Sequence, residues 1–236
     1  MRHHATFSYI KSFHFLNHVL NDDAFILNTD KNKNSIIVSD RKFNKLLAFH
    51  FPLVFNLKMN DYIETKNIPV QKNLPESFLI LIHAGQAALA VTKGREIALH
   101  KVIRKYMVRK KQGKAQINYL KTKGKSRAGS RVRLADSADF FEEINLTATK
   151  WLQQSNPQSI IYHCSPVLWG YLFRAKNKPP FEKKDIRLKK VPLDVNRPTM
   201  MELKRTANYL QSGHLDFFDG CPAEKRSEII KKIAGF

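Results

Sequence analysis

The chain has 236 residues, of which 43% are hydrophobic and 11% aromatic, and its formal net charge is +21 at pH 7. This apolar content is enough to build a core and excludes a natively disordered polypeptide. The charge excess costs stability by self-repulsion, so we expect a polyanionic partner that offsets it. The sequence contains no apolar run of the roughly 18 residues that span a bilayer, which favours nucleic acid over a membrane as that partner.

The N-terminus and the two cysteines indicate the cellular compartment. Residues 1–21 mix histidines with aromatic residues and lack the apolar core and the cleavage site of a signal peptide. Cys164 and Cys221 match neither a disulfide framework nor a zinc-ligand pattern, and we expect one buried and one exposed thiol. The sequence therefore predicts a cytoplasmic protein, and it contains no pattern that indicates a metal or another cofactor.

Residues 1–72 form a first block, predicted to be an N-terminal lobe or flank. Short strands are expected at residues 24–27 and 35–38, on either side of a turn-like run of Asp, Lys and Asn. Residues 42–55 are apolar, but their spacing fits neither a helix nor a strand. Five phenylalanines of this block are assigned to its core rather than to base stacking: Phe13, Phe15, Phe49, Phe51 and Phe55.

Residues 73–218 form a second block, for which we predict an α/β domain. Tight turns separate apolar segments at residues 77–83, 86–92 and 96–108, which predicts an antiparallel meander. A helix is expected from an N-cap at Ser137, with an apolar stripe of Phe140, Phe141, Ile144, Leu146, Ala148, Trp151 and Leu152. Strands at residues 159–164 and 186–191 then alternate with helices at residues 166–173 and 198–210. This order predicts a mixed sheet of ribonuclease-H-like type, followed by a basic C-terminal helix within residues 219–236.

A long basic segment interrupts this pattern. Residues 101–133 contain many Lys and Arg residues and not one Asp or Glu. We predict a loop over residues 109–133 because they show no apolar period, and a loop of this length in a compact domain is usually functional. Its basic side chains would neutralise phosphates and release counterions. The loop is therefore predicted to contact nucleic acid.

Several ordered motifs surround this loop and are more specific than its composition. They are Gly94-Arg-Glu-Ile97, His100-Lys101, Tyr106-Met-Val-Arg109, Gly113-Lys-Ala-Gln116 and Arg127-Ala-Gly-Ser-Arg-Val-Arg-Leu134, then Pro192-Leu193, Arg197-Pro-Thr199 and Glu202-Leu203. Over residues 77–216 this order resembles the Vms-type and ankyrin-repeat zinc-finger peptidyl-tRNA hydrolases of ribosome quality control, which are relatives of the class-one release factors. Without ankyrin repeats or zinc-finger cysteines, the sequence resembles a minimal, bacterial-type member.

The resemblance implies the fold of a class-one release factor middle domain and a cofactor-independent hydrolase that acts on peptidyl-tRNA. Gln116 would position the attacking water or the tRNA 3′ end, because an amide donates and accepts hydrogen bonds but does not titrate near neutrality. Gly113 would permit the loop geometry. The residues expected to grip RNA phosphates are Arg109, Lys110, Lys111, Lys114, Lys125, Arg127, Arg131 and Arg133. The expected partners of this monomer are the large ribosomal subunit with its ribosomal RNA and peptidyl-tRNA, and no membrane.

The sequence leaves alternatives open. The broken bond is either the ester that joins peptide to tRNA or a phosphodiester near the tRNA 3′ end, and a non-catalytic ribosome- or RNA-binding factor is a further reading. A metal-dependent nuclease would need gathered carboxylates. Four acids are close in sequence, Asp136, Asp139, Glu142 and Glu143. We favour stabilisation of the first helical turns by these acids. His83 and His100 are expected to be packed or surface residues.

Overall fold

The computed structural model describes residues 4–30, 35–55, 66–105 and 127–235 of the chain. In chain order the elements are β1 His4–Phe7, α1 Tyr9–Asn21, β2 Phe25–Asp30, β3 Ser35–Asp40, β4 Lys45–His50, β5 Ser77–His83, β6 Gln86–Lys93, β7 Glu96–Arg104, α2 Arg127–Gln154, β8 Ser159–His163, α3 Pro166–Arg174, β9 Leu188–Lys190, α4 Met200–Leu210, β10 Gly213–Phe217 and α5 Ala223–Gly235. Among the described residues, no helix is long and apolar enough to cross a membrane.

The chain folds into two compact units. The first comprises residues 1–76, 93–96 and 205–236, and the second comprises residues 77–92 and 97–204. Residues 205–236 thus belong to the same unit as the N-terminal part of the chain. The division into domains at residues 1–72, 73–218 and 219–236 stays a prediction.

The first unit is built on an antiparallel sheet with the strand order β1-β10-β4-β3-β2. The predicted strands in residues 24–27 and 35–38 are confirmed as parts of β2 and β3. β4 falls in the region that fitted no pattern, because Leu46, Leu47, Ala48 and Phe49 are all buried and the strand shows no apolar alternation.

Interlocking phenylalanine rings fill the core of the first unit, as predicted. The Phe13 and Phe55 rings meet edge to face at 5.1 Å, and so do Phe15 and Phe49. These edge-to-face contacts are a favoured aromatic geometry. α1 begins after Ser8, whose hydroxyl accepts a hydrogen bond from the backbone N–H of Lys11. The phenylalanines assigned to the core therefore serve packing, whereas Phe43 of the same block is 74% exposed.

The second unit contains the predicted mixed sheet, with the strand order β7-β6-β5-β8-β9. β5 pairs antiparallel with β6 and parallel with β8, and β8 pairs parallel with β9. The two-residue turn after β5 contains Gly85 at φ 77°, and the turn after β6 contains Gly94 at φ 60°, a region that glycine enters without steric cost. The predicted α/β fold class is confirmed.

The helix α2 differs most from its prediction. It begins at residue 127 rather than after Ser137, so residues 127–133 are helical and not part of a loop. The three arginines and the alanine of residues 127–133 favour a helix even where no apolar stripe is present, which explains the missing signal. Phe140, Ile144 and Ala148 pack into the core as expected, but Leu146 is 55% exposed because it lies out of phase with their spacing of three to four residues.

Smaller corrections concern other elements. β9 begins at residue 188 and not at 186, and Ile186 is 84% exposed. α4 begins two residues after Pro198, at Met200. Cys164 and Cys221 are both buried, so the expectation of one exposed thiol is wrong. Burial also raises the pKa of the Cys164 thiol to about 12, which makes it unreactive at neutral pH.

Candidate functional site

The segment predicted to carry the chemistry lies outside the described residues. It includes the catalytic candidates Gly113 and Gln116. It also includes five of the proposed RNA-binding residues, Arg109, Lys110, Lys111, Lys114 and Lys125. The remaining three, Arg127, Arg131 and Arg133, lie on the first two turns of α2. The structure therefore describes the strand and the helix from which this segment departs.

The segment leaves the second sheet at the edge where β5 ends. β7 ends at Arg104, and the backbone N–H of Lys105 donates a hydrogen bond of 3.0 Å to the carbonyl oxygen of Gly85. Gly85 lies in the tight turn between β5 and β6. This bond anchors the chain directly before residues 106–126. The chain therefore leaves the sheet at the edge where β5 and its parallel neighbour β8 also end. Side chains at the carboxyl ends of these two strands belong to this edge.

Two histidines end neighbouring parallel strands at this edge. His163 of β8 is paired with Leu81 of β5, so His83, two residues further along β5, lies on the same face. The two imidazole centroids are 5.5 Å apart, and Nδ1 of His163 is buried without a hydrogen-bond partner among the described residues. Burial first, and then the charges of His83 and Lys190, lower the pKa of His163. Its imidazole is therefore neutral near pH 7 and able to accept a proton.

Sequence reasoning weighed His83 but overlooked His163. His83 ends one predicted strand and His163 is the next-to-last residue of another, and residues at the carboxyl ends of adjacent parallel strands converge, so the strand order would have revealed the pair. His100 is exposed on β7, as expected, and Lys101 beside it forms an ion pair of 2.9 Å with Glu143 of α2. Lys101 is thereby engaged within the unit.

The helix-dipole explanation is wrong for the four clustered acids Asp136, Asp139, Glu142 and Glu143. Because α2 begins at residue 127, all of them lie beyond its first turns. Glu143 binds Lys101, and Glu142 accepts a hydrogen bond of 3.4 Å from the amide of Asn177. In the part of the chain that the structure describes, no group of three or more His, Cys, Asp or Glu residues is arranged to hold a metal ion.

A hydrogen-bonded segment at residues 196–202 begins α4. The hydroxyl of Thr199 accepts a hydrogen bond of 3.2 Å from the backbone N–H of Glu202, whose buried carboxylate accepts one of 2.8 Å from the backbone N–H of Asn196. This arrangement is related to the capping box of helix N-termini. The side-chain amide of Gln86, at the start of β6, donates a hydrogen bond to the carbonyl oxygen of Pro198. The motif at residues 197–203 thus has a structural role.

Comparison with known proteins agrees with the motifs. The model of the Bacteroidetes VLRF1 release factor family matches residues 77–216. The chain belongs to this family. The predicted relationship to release factors is thereby confirmed over the residues that carry the motifs, and the family match begins with β5 and ends within the first-unit strand β10.

Curated relatives of this VLRF1 family member are larger proteins. The tRNA endonuclease ANKZF1 of Homo sapiens is 30% identical over 150 residues, and that of Bos taurus is 29% identical over 140 residues. These matches cover 62% and 58% of this chain but only 21% and 19% of the relatives, so the chain spans about a fifth of their length. The solved Vms1 mitochondrial localization core has 16% identity and a TM-score of 0.43, with 87% of this chain and 83% of that one covered.

Proposed function

We propose that this VLRF1 family member is a hydrolase that frees nascent chains from tRNA on stalled large ribosomal subunits. The observation that carries the proposal is the release-factor match over residues 77–216, which spans the Gly113–Gln116 segment. Its partners would be the large subunit, ribosomal RNA and peptidyl-tRNA. We also propose that it acts in the cytoplasm as a monomer.

Positioning and electrostatics would supply the catalysis. The Gln116 amide would orient a water or the tRNA 3′ end, and the proton would pass through the substrate or the ribosome, since the amide itself does not titrate. Donors that are already placed where charge develops lower the barrier without reorganisation. Gly113 would allow the chain to approach the 3′ end closely.

RNA phosphates would hold the segment at both of its ends. Arg127 and Arg131 belong to the first two turns of α2. Together with Arg133 and the basic residues of the segment, they would bind the tRNA backbone. Such contacts predict an affinity that falls steeply with salt.

Cleavage of a phosphodiester near the tRNA 3′ end is the second candidate, and the names of the ANKZF1 relatives favour it. This reaction needs a group that removes a proton from the attacking oxygen and one that protonates the leaving oxygen. The imidazole of His163, 5.5 Å from that of His83, is a group of the kind that removes such a proton. Under this candidate His163→Gln would slow cleavage and change its pH profile, whereas ester hydrolysis through Gln116 would be unaffected in its pH profile.

The deciding experiment is release of a nascent chain from purified stalled large subunits by the wild type, Gln116→Ala and Gln112→Ala. Gln112 is a matched control, because it is a glutamine of the same segment four residues earlier. We expect release by the wild type and Gln112→Ala and a loss of about 100-fold or more in Gln116→Ala, as for removal of one positioned donor.

The tRNA product identifies the bond that was broken. An intact 3′ end shows ester hydrolysis, and a shortened 3′ end shows phosphodiester cleavage. Equal release by Gln116→Ala and the wild type would contradict the role of Gln116. Tight subunit binding without release by any variant would instead identify a non-catalytic binding factor.

A further inference from the structure

The excess positive charge of the chain is concentrated in two segments. Residues 101–133 carry 13 of the 41 Lys and Arg residues and no acid, and residues 174–190 carry eight against two acids. The other 186 residues carry 20 basic and 18 acidic residues and are close to neutral. The first segment contains the proposed catalytic loop. The second, here called the 174–190 segment, runs from the end of α3 to the end of β9 and has no part in that loop.

The 174–190 segment is held in place by hydrogen bonds. The amide of the buried Asn145 on α2 donates to the carbonyl oxygens of Leu172 at 2.9 Å and Asn177 at 2.7 Å. Further along, the Arg187 guanidinium donates two hydrogen bonds to the Asp185 carboxylate, at 2.7 and 3.1 Å. A segment ordered before binding does not lose that conformational entropy when it binds a ligand.

Two lysines of the segment also contact the end of α3. Lys178 donates a hydrogen bond of 3.0 Å to the carbonyl oxygen of Phe173, and the Lys183 ammonium lies 5.4 Å from the centre of the Phe173 ring. Such contacts stabilise a helix C-terminus and by themselves explain these two residues. They also hold two positive charges beside the same helix end.

Of the five remaining cations of the segment, Lys189 is half-buried and burial lowers its pKa to about 8, whereas the other four have no such explanation. Arg174, Lys176, Lys184 and Lys190 are exposed and form no ion pair with the described residues. The Asp185 carboxylate is occupied by Arg187, so Glu182 is the only exposed acid of the segment, all of whose residues are described. One turn before Arg174, the ring of Tyr171 is 49% exposed on α3. Unpaired cations next to an exposed aromatic ring are typical of nucleic-acid contacts.

We propose that the 174–190 segment, with Tyr171, is a second RNA-binding surface that docks the protein on ribosomal RNA independently of the catalytic loop. The choice of ribosomal RNA rests on the proposed function, whereas the preference for a phosphate backbone rests on the charge and exposure of these residues. Contacts to phosphates position a protein without reading sequence. The surface would therefore set affinity and orientation on the subunit and leave the chemistry to the loop.

The test measures binding of the full-length chain to vacant large ribosomal subunits between about 50 and 200 mM salt. The variant Arg174→Glu/Lys176→Glu/Lys184→Glu reverses three positive charges that form no ion pair with the described residues. We expect binding to weaken about tenfold or more and the slope of log affinity against log salt to fall by about two to three. Arg174→Lys/Lys176→Arg/Lys184→Arg keeps the charges and should bind as the wild type does.

A matched control reverses three exposed lysines outside both basic segments, Lys42, Lys72 and Lys231. This control should change binding by about twofold at most, since scattered surface charges contribute little. If charge reversal unfolds the chain, Lys176→Gln/Lys184→Gln repeats the measurement without adding negative charge. Unchanged binding in the folded variants, or an equal loss in the control, would overturn the proposal.

Membrane binding is a separate outcome, because Ile186 is 84% exposed within the segment. Vesicles of phosphatidylglycerol and phosphatidylcholine in equal parts provide this arm. Vesicle binding that depends on the three cations, together with unchanged subunit binding, would overturn the RNA assignment. The Gln116→Ala release experiment tests the proposed function separately. If the wild type releases no nascent chain but reversal of the three charges still weakens subunit binding, the hydrolase proposal is refuted and the RNA-binding surface is retained.

Discussion

The two compact units differ in their charge balance and in the pairing of their charged side chains. The first carries 17 Lys and Arg against 12 acids, and the second carries 24 against eight. On β10 of the first unit, the Asp216 carboxylate accepts a hydrogen bond of 2.8 Å from His4 and lies 3.3 Å from Nε2 of His50. Burial tends to raise the pKa of Asp216, but these histidines reverse the effect and lower it overall. Asp216 of the first unit is thus paired internally, whereas four exposed cations of the 174–190 segment in the second unit form no ion pair with the described residues.

This difference separates stability from function in the molecule. A half-exposed ion pair adds little to stability but occupies both of its charges, whereas a cation without an internal partner is available to bind an anion. The second unit contains both segments that hold the charge excess. We therefore expect substitutions in the first unit to act mainly on stability and charge substitutions in the second to act mainly on binding.

The largest expected effects come from the two cores. Phe13 and Phe140 are fully buried, in the first and second unit respectively. Phe13→Ala and Phe140→Ala should each lower the free energy of unfolding by about 3–5 kcal/mol, because each leaves a cavity. Hydrogen exchange followed residue by residue in mild urea shows which unit loses protection.

The hydrogen-exchange experiment can also contradict the contrast between the two units. If each substitution reduces protection in its own unit, the units are separate cooperative units of folding. If either substitution reduces protection equally in both, the chain unfolds as one body and the contrast is confined to surface charge. Leu146→Ala is a suitable control, because Leu146 is 55% exposed and should cost little stability.

Two asparagines offer a smaller and more local comparison. Asn145 donates to the carbonyl oxygens of Leu172 and Asn177 in the second unit. Asn17 exchanges two hydrogen bonds with the backbone of Ile68, at 2.8 and 2.7 Å, in the first. Asn145 is 1% exposed and Asn17 is half-buried, so water replaces the lost partner more easily at Asn17.

Asn145→Ala should therefore cost about 1–3 kcal/mol, and Asn17→Ala about 0.5–1.5 kcal/mol. Urea unfolding of both variants measures the difference. Because Asn145 holds the 174–190 segment, its substitution should also weaken subunit binding, whereas Asn17→Ala should leave that binding unchanged. An equal effect of both variants on binding would mean that the segment does not depend on this anchor.

The smallest expected effect is a dependence of stability on pH. His214 in the first unit and His163 in the second both have a pKa below the ordinary value of 6.5, with burial as the largest cause. The unfolded chain takes up protons near pH 6.5, and the folded chain does so only at lower pH. Stability from these histidines is therefore complete above pH 6.5 and is lost as the pH falls below it.

His163→Gln and His214→Gln should each flatten the fall in stability below pH 6.5. His214 also accepts a hydrogen bond from Thr6 and donates one to the carbonyl oxygen of Tyr209, so its substitution should lower stability at pH 8 as well. Urea midpoints at a series of pH values measure both effects. A profile identical to the wild type in both variants would show that other groups cause the acid destabilisation.

Local sequence signals account for much of the fold. β5 is predicted to the residue, because its apolar run ends at a turn that contains Gly85. β4 and β5 are both buried without apolar alternation, but the apolar run of β4 continues into Phe51 without such a turn, so β4 is not recognised as a strand. The start of α2 escapes because residues 127–133 carry no apolar stripe. An apolar run without alternation thus needs a turn at its end to be recognised as a strand, and a helical segment without an apolar stripe gives no periodic signal.

Some features of the candidate site can likewise be read from the sequence, and others cannot. The Gly113–Gln116 motif is visible in the sequence because its residues are consecutive. The contact between His83 and His163 is not visible in the sequence, because these residues are 80 positions apart and meet only where β5 and β8 are adjacent. The 174–190 segment is visible as charge, but its ordering by Asn145 requires the packing of α2 on α3. Long-range neighbours depend on strand order and helix packing, which local patterns do not specify.

The hydrogen bonds of Thr199 and Glu202 have a consequence for evolution. A descendant chain that lost Gln116 would lose its proposed chemistry, but it would still need these residues to begin α4. An inactive descendant would therefore keep the motif at residues 197–203 and remain recognisable as a relative. Within this family, catalytic and silent members should be told apart at the position of Gln116 and not by the motif that follows it.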